Sequence, residues 1–139
     1  MKTIEQLSIF LENRTGRLGE ITEMLARADA SIRTLELVEA GDFGILRLIV
    51  SDPQAVKTVL HDQGISARIT PVIAIEIADE VGCFNRVIAA LAEEGIDIAY
   101  TYTVHNGARG AFVIKTAEAD IASAIDRLER DGVKVLDAV

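Results

Sequence analysis

Two short segments carry the residue types needed to hold a small charged molecule. They are Glu12-Asn13-Arg14-Thr15-Gly16-Arg17-Leu18 in the first half and Ala78-Asp79-Glu80-Val81-Gly82-Cys83-Phe84 in the second. Gly16 and Gly82 stand where the backbone must turn into a helix, and a residue without Cβ lets a ligand come close. The start of a helix offers unpaired N–H donors and a partial positive charge, which suit a carboxylate. Asn13 or Asp79, at the preceding strand end, can accept from an ammonium group. An α-amino acid carries both charges on one carbon, so the loop has a matching complement. The competing reading is an ordinary strand–helix turn with a polar first residue. Spacing alone favours that plainer reading.

Other chemistry finds little support. Cys83 sits beside Gly82 near a helix start, a place that can activate a thiol, but a buried or neutral cysteine is the simpler reading. One cysteine forms no internal disulfide and no metal cluster by itself. His61 and His105 lie in different halves and read as surface histidines, so neither metal nor cofactor is expected. The pairs Asp79-Glu80 and Glu93-Glu94 are explained by solvation. There is no GxGxxG after a strand and no P-loop; Gly16-Arg17-Leu18-Gly19 lacks the spacing and the lysine. The expectation is therefore a protein that is not an enzyme.

Composition narrows the partners. The 139 residues include 14 basic and 22 acidic side chains, a net charge of −8, and 50% hydrophobic residues. Duplex nucleic acid and anionic membranes both need a cationic surface, so neither is an expected partner. No apolar run is long enough to span a bilayer, and Met1–Glu5 lacks the hydrophobic stretch of a secretion signal. A soluble, cytoplasmic protein is expected.

The elements that must position the loops come as a repeat. A shift of 66 residues lays Gly16, Leu25, Ala26, Ile32, Val38, Gly41 and Gly44 on Gly82, Leu91, Ala92, Ile98, Val104, Gly107 and Gly110. After a two-residue slip, Leu60 and Gly64 fall on Leu128 and Gly132. Two domains follow, 1–70 and 71–139. In the first, Leu7, Ile9 and Leu11 alternate as a strand, and Leu18, Ile21, Leu25 and Ala28 form a helical stripe. Strands follow at Ile32–Val38 and Ile45–Val50 around a glycine-bearing turn. A helix with Pro53 in its first turn ends at Gly64, and Ala67–Pro71 is a fourth strand. The second copy repeats this order, with strands at Ile73–Ile77, Ile98–Val104, Ala111–Thr116 and Val133–Leu136, a turn over His105–Gly110, and two helical stripes. The order β-α-β-β-α-β predicts an α+β fold of two ferredoxin-like units, each an antiparallel sheet with both helices on one face. Such small units leave a sheet face uncovered, so dimerisation is expected. Tyr100 and Tyr102 could frame a ligand, though packing at a seam is the plainer role.

At the loops the chain resembles the ACT domain family. The stretch from Phe10 to Leu18, a helix, and then Ala30-Ser31-Ile32 is similar to that family's opening of Asn/Asp-x-Pro-Gly-x-Leu, helix, and an Asn-Ile-like pair. The resemblance covers the whole chain as two tandem copies. It implies a regulatory module that binds a small molecule, most often an amino acid, where two such domains meet. Carried over, Asn13, Gly16, Ser31 and Ile32 match the family's positions in the first copy, and Asp79, Gly82, Asp97 and Ile98 in the second. Thr15 and Val81 stand where the family often has proline, Ser31 is shorter than the usual asparagine, and Asp97 adds a charge. The first copy counts eight basic and ten acidic residues, the second six and twelve. Arg14 and Arg17 should make the first loop cationic and the receiver of a ligand carboxylate, with Leu18, Cys83 and Phe84 completing the two loops. The implied protein is a stand-alone sensor, homodimeric and acting on a separate metabolic enzyme. The alternatives are a ligand-free adaptor or, further off, a small enzyme in which Asp79, Asp97 and His105 converge.

Overall fold

A computed structural model describes residues 2–106 and 109–139; Met1, Gly107 and Ala108 lie outside the described residues, and with the last two part of the turn expected over His105–Gly110. The chain divides into two compact units. One is Glu5–Thr70; the other is Pro71–Val139 with the residues that precede Glu5.

The first unit runs β1 (Ile4–Glu12), α1 (Arg17–Arg27), β2 (Ile32–Ala40), β3 (Phe43–Val50) and α2 (Pro53–Asp62), then enters β4 (Ala67–Glu76). Its strands lie in the order β2-β3-β1-β4. β3 pairs antiparallel with β1 through Leu7↔Leu48 and Ile9↔Leu46, and with β2 through Leu35↔Leu48 and Leu37↔Leu46. Because strand side chains alternate between faces, Leu7, Ile9, Leu11, Leu46, Leu48 and Val50 share one face. Ile21 and Leu25 of α1 and Val56 and Leu60 of α2 bury against them. Both helices therefore cover the same face. Asp52 caps α2, its Oδ1 accepting from the Ala55 N–H at 3.1 Å, one residue before Pro53. Gly64, at φ 76°, ends that helix in the left-handed conformation. On the opposite face, Phe10 and Phe43 make a tilted ring contact at 5.8 Å.

The second unit continues with α3 (Cys83–Glu93), β5 (Tyr100–Asn106), β6 (Arg109–Lys115), a single 3-10 turn (Glu118–Asp120), α4 (Ile121–Arg130) and β7 (Lys134–Leu136). β4 pairs with both β7 and β6, and β6 with β5. Ile73, Ile75 and Ile114 pack against Val87 and Leu91 of α3 and Ile121, Ile125 and Leu128 of α4. Arg127 of α4 ties the two helices together, reaching Glu93 at 2.7 Å and Glu94 at 3.0 Å. Both units are thus ferredoxin-like α+β folds.

Two boundaries differ from the sequence reading. The strands expected at Ala67–Pro71 and Ile73–Ile77 are one, β4, which ends at Glu76. Pro71 removes one N–H donor, yet its fixed φ is compatible with extended backbone, so the strand passes through it. The strand expected from Ile98 begins at Tyr100. Ile98 precedes it and packs, half-buried, on the second core. No helix among the described residues is long and apolar enough to cross a membrane.

Candidate functional site

Each unit holds a cavity at the place where β turns into α. In the first unit it occupies about 330 Å³ between the end of β1, the first turn of α1 and the β2–β3 hairpin, with Asn13, Arg17, Leu18, Val38 and Phe43 on its walls. In the second it occupies about 560 Å³, with Asp79, Phe84, Thr103, Val104 and Phe112 on its walls. The two are related by the 66-residue repeat: Leu11, Asn13, Leu18, Val38 and Gly44 of one correspond to Ile77, Asp79, Phe84, Val104 and Gly110 of the other. Both volumes fall within the range of small-molecule sites, roughly 300–1,000 Å³.

The local geometry follows from the glycines. Gly16 and Gly82 each precede a helix at φ 86°, in the left-handed region. A side chain there would strain the backbone, although the space beside Gly16 is open. Neither helix start has a side-chain cap. The Arg17 N–H reaches the Arg14 carbonyl at 3.3 Å and the Cys83 N–H the Glu80 carbonyl at 3.2 Å. The next two N–H groups, of Leu18 and Gly19 and of Phe84 and Asn85, have no backbone partner among the described residues. They are the spare donors that every helix start leaves over, amides of the first turn that no carbonyl four residues back can receive.

The charges are arranged differently from the sequence expectation. Arg14 donates to both carboxylate oxygens of Glu20, at 3.0 and 2.9 Å, and lies 3.4 Å from Glu12. Arg17 donates to Glu20 at 2.9 Å. These hydrogen bonds from Arg14 and Arg17 hold the Glu20 carboxyl below the usual carboxylate range. The first loop is therefore an arginine–glutamate cluster and not a free cationic patch. One donor is left over: the Nε of Arg17 is buried without a hydrogen-bond partner, on a side chain only 19% exposed. In the sequence Glu20 is marked only by its i, i+3 spacing from Arg17, a recognisable ion-pair signal. The wall residues from the β2–β3 hairpin carried no such signal.

Asn13 is pinned to that hairpin by its N–H on the Asp42 carbonyl at 2.8 Å and its Nδ2 on the Gly41 carbonyl at 3.4 Å. Arg14 also borders the first cavity, whereas Thr15 and Gly16 are exposed on the loop crest. In the second loop Phe84 stacks on Phe112 at 4.3 Å, and Asp79 and Glu80 give the cavity an acidic rim. Val81 and Gly82 are exposed. Cys83 is half-buried and turns away to a separate hollow of about 570 Å³ beside Glu76, Arg86 and Lys134. There its Sγ accepts from Arg86 at 2.9 Å.

Ser31, Ile32, Asp97 and Ile98 do not join these cavities within a unit. β2 runs from Ile32 to Ala40, so Ser31 lies roughly 30 Å along the sheet from the hairpin end. Its N–H donates to Ser51 Oγ and its hydroxyl accepts from Arg33, both at 3.0 Å. Asp97 is exposed and Ile98 half-buried, ahead of β5. Asp97 thus stands at the opposite end of β5 from Asp79 and His105, and the three do not converge. Tyr100 and Tyr102 stack at 6.4 Å without lining either cavity. Among the described residues no group of three His, Cys, Asp or Glu side chains is placed to hold a metal ion.

Comparison with known proteins adds to this geometry. A family model described as an ACT domain pair matches residues 2–131. The crystal structure of protein BT0572 from Bacteroides thetaiotaomicron is similar over 97% of this chain and 92% of that one, with 38% identity and a TM-score of 0.89. The ligand-free regulatory subunit of aspartate kinase from Thermus thermophilus shares the fold, with 12% identity, a TM-score of 0.65 and coverage of 94% and 93%. Aspartokinase III of E. coli, solved with aspartate and ADP, matches 93% of this chain with 32% of its own length, at 14% identity and a TM-score of 0.60. No curated protein sequence matches the chain.

Proposed function

Since the chain belongs to the ACT domain family, as an ACT domain pair and hence a small-molecule-binding regulatory module, we propose that it senses an amino acid at its strand–helix loops. The observation that carries this reading is the buried, unpartnered Arg17 Nε beside a cavity of small-molecule size. An unpaired buried donor is costly, about 1–3 kcal/mol; it is closed off from solvent in the unliganded protein, so a carboxylate in the first cavity would reach it by a turn of the Arg17 side chain and would lie beside the free N–H groups of Leu18 and Gly19. Asn13, held by the hairpin, has its side-chain oxygen available for an ammonium group. The second cavity is acidic at its rim and lined by the Phe84–Phe112 stack, so it favours a cationic or aromatic ligand end over a carboxylate. The two sites are related in backbone but not in chemistry. The protein acts without catalysis of its own, through a separate enzyme or through its own assembly. A thermal-shift screen against the twenty amino acids tests the reading, because a ligand that binds the native state raises the melting point. At least one amino acid should raise it, and Arg17→Met should reduce the rise at the same ligand concentration. A screen with no shift, and no chemical-shift changes at Leu18 or Gly19 in NMR titrations, would refute it.

A further inference from the structure

In the second unit a hollow of about 570 Å³ opens between the end of β4, one face of α3 and the turn from α4 into β7. The internal repeat shows how it arises. Shifted by 66 residues, Arg17, Ile21 and Met24 of the first unit become Cys83, Val87 and Ala90, and beyond the two-residue slip Ile65 becomes Val133. Every one of these replacements is smaller, and all of them border the hollow. In the first unit Met24 packs on the core and Arg17 is only 19% exposed, so both take up room that the second unit leaves open. The volume lies in the range of small-molecule sites, roughly 300–1,000 Å³.

Two wall positions change in the opposite sense, and both become cations: Glu20 becomes Arg86 and Ser66 becomes Lys134. They have different tasks. Lys134 neutralises the buried Glu76 at 3.3 Å. Asp131, the other carboxylate of the wall, is held by Arg127 at 3.1 Å. Arg86 makes no ion pair among the described residues; its guanidinium donates to the Cys83 Sγ at 2.9 Å, and sulfur is a weak acceptor. Glu80 lies 3.9 Å from that sulfur and lines the loop cavity instead. The hollow thus has an apolar floor of Val87, Ala90, Leu128 and Val133 and one guanidinium without a carboxylate at its rim. We propose that it binds a small carboxylate with an apolar tail and no ammonium group, at a second site beside the strand–helix loop cavities.

Each part of that ligand follows from the walls. The planar fork of a guanidinium matches a carboxylate with two parallel hydrogen bonds, which outweigh a contact to sulfur. A phosphate dianion would bring a second charge towards Asp131 and Glu80 with no cation to meet it. An ammonium group would need a free acceptor, and Glu76 and Asp131 are both engaged. The tail gains by leaving water for the apolar floor. This preference differs from that of the first cavity, where Asn13 can receive an ammonium group, and it does not depend on that reading.

Sodium octanoate, titrated into the full chain by calorimetry and NMR, tests the site. It should bind in the millimolar range or tighter and shift the amides of Val87, Ala90 and Gly132. Octanol and 2-aminooctanoate should bind at least about tenfold more weakly, and so should octanoate to Arg86→Gln, because a charge-assisted hydrogen bond is lost or an ammonium group is left unmet. Arg86 is exposed, so this variant keeps the fold and reads the charge alone. Ala90→Met restores the first unit's side chain, a flexible gap-filler, and should abolish binding with a urea midpoint no lower than wild type. Those amides unshifted at about 10 mM octanoate, or binding unchanged in Ala90→Met, overturn the site. Octanoate bound as tightly by Arg86→Gln, or no more tightly than octanol or 2-aminooctanoate, overturns the ligand assigned to it.

Discussion

Replacing Arg17 by methionine separates a ligand-binding role from a structural one. Methionine keeps an unbranched apolar stem of similar length, so packing beside Leu18 is preserved, and only the guanidinium is lost. Two structural consequences oppose each other. The exposed-side ion pair with Glu20 at 2.9 Å disappears, a loss of about 0–1 kcal/mol for a pair of this kind. The buried Nε without a partner disappears as well, which removes a penalty of about 1–3 kcal/mol. The unliganded variant should therefore be at least as stable as the wild type in urea denaturation. Binding should respond in the other direction. A hydrogen bond between the guanidinium and a ligand carboxylate contributes about 1.5–3 kcal/mol, so affinity for the best amino acid should fall roughly 10- to 150-fold by calorimetry. A variant that binds as well as wild type would refute the role assigned to Arg17. So would an unliganded variant destabilised by more than about 1 kcal/mol, because Arg17 would then be serving the fold.

Other outcomes follow from the same geometry. Gly16→Ala and Gly82→Ala should each lower the urea midpoint by an amount equivalent to about 1–2 kcal/mol, from the strain of an L-residue at φ 86°, with Gly16→Asn closer to wild type; alanine variants as stable as wild type would contradict the left-handed turn. Glu20 has a folded pKa below its unfolded value, so its contribution is present above the unfolded pKa of about 4.3 and lost as pH falls through the folded one. The stability difference between wild type and Glu20→Gln should accordingly be flat near neutrality and shrink in acid, and a difference that grows below pH ~4 would contradict the assignment. Leu48→Ala, at a fully buried position under both helices, should destabilise by about 2–5 kcal/mol in urea denaturation; a loss under about 1 kcal/mol would contradict its place in the core.

The repeat, the order of elements and the position of both loops are legible in the chain alone. Periodicities of two and of 3.6 are local properties: Leu7, Ile9 and Leu11 can only alternate as a strand facing a core, and Ile21 and Leu25 can only stripe a helix. The glycines at 16 and 82 are legible for the same reason, since a left-handed residue before a helix restricts its own position whatever packs elsewhere. Tertiary structure decided what these signals do not encode. Antiparallel pairing of Glu12 with Phe43 brings the β2–β3 hairpin onto the loop and supplies half of the first cavity. The same pairing direction sends Ser31 to the far end of the sheet, away from Asn13, although both belong to one motif in the chain. Glu20 turns two arginines from an open cationic loop into a cluster with a single buried donor left over. Such outcomes depend on which side chains meet across strands and turns, and distances of that kind exist only once the chain has folded.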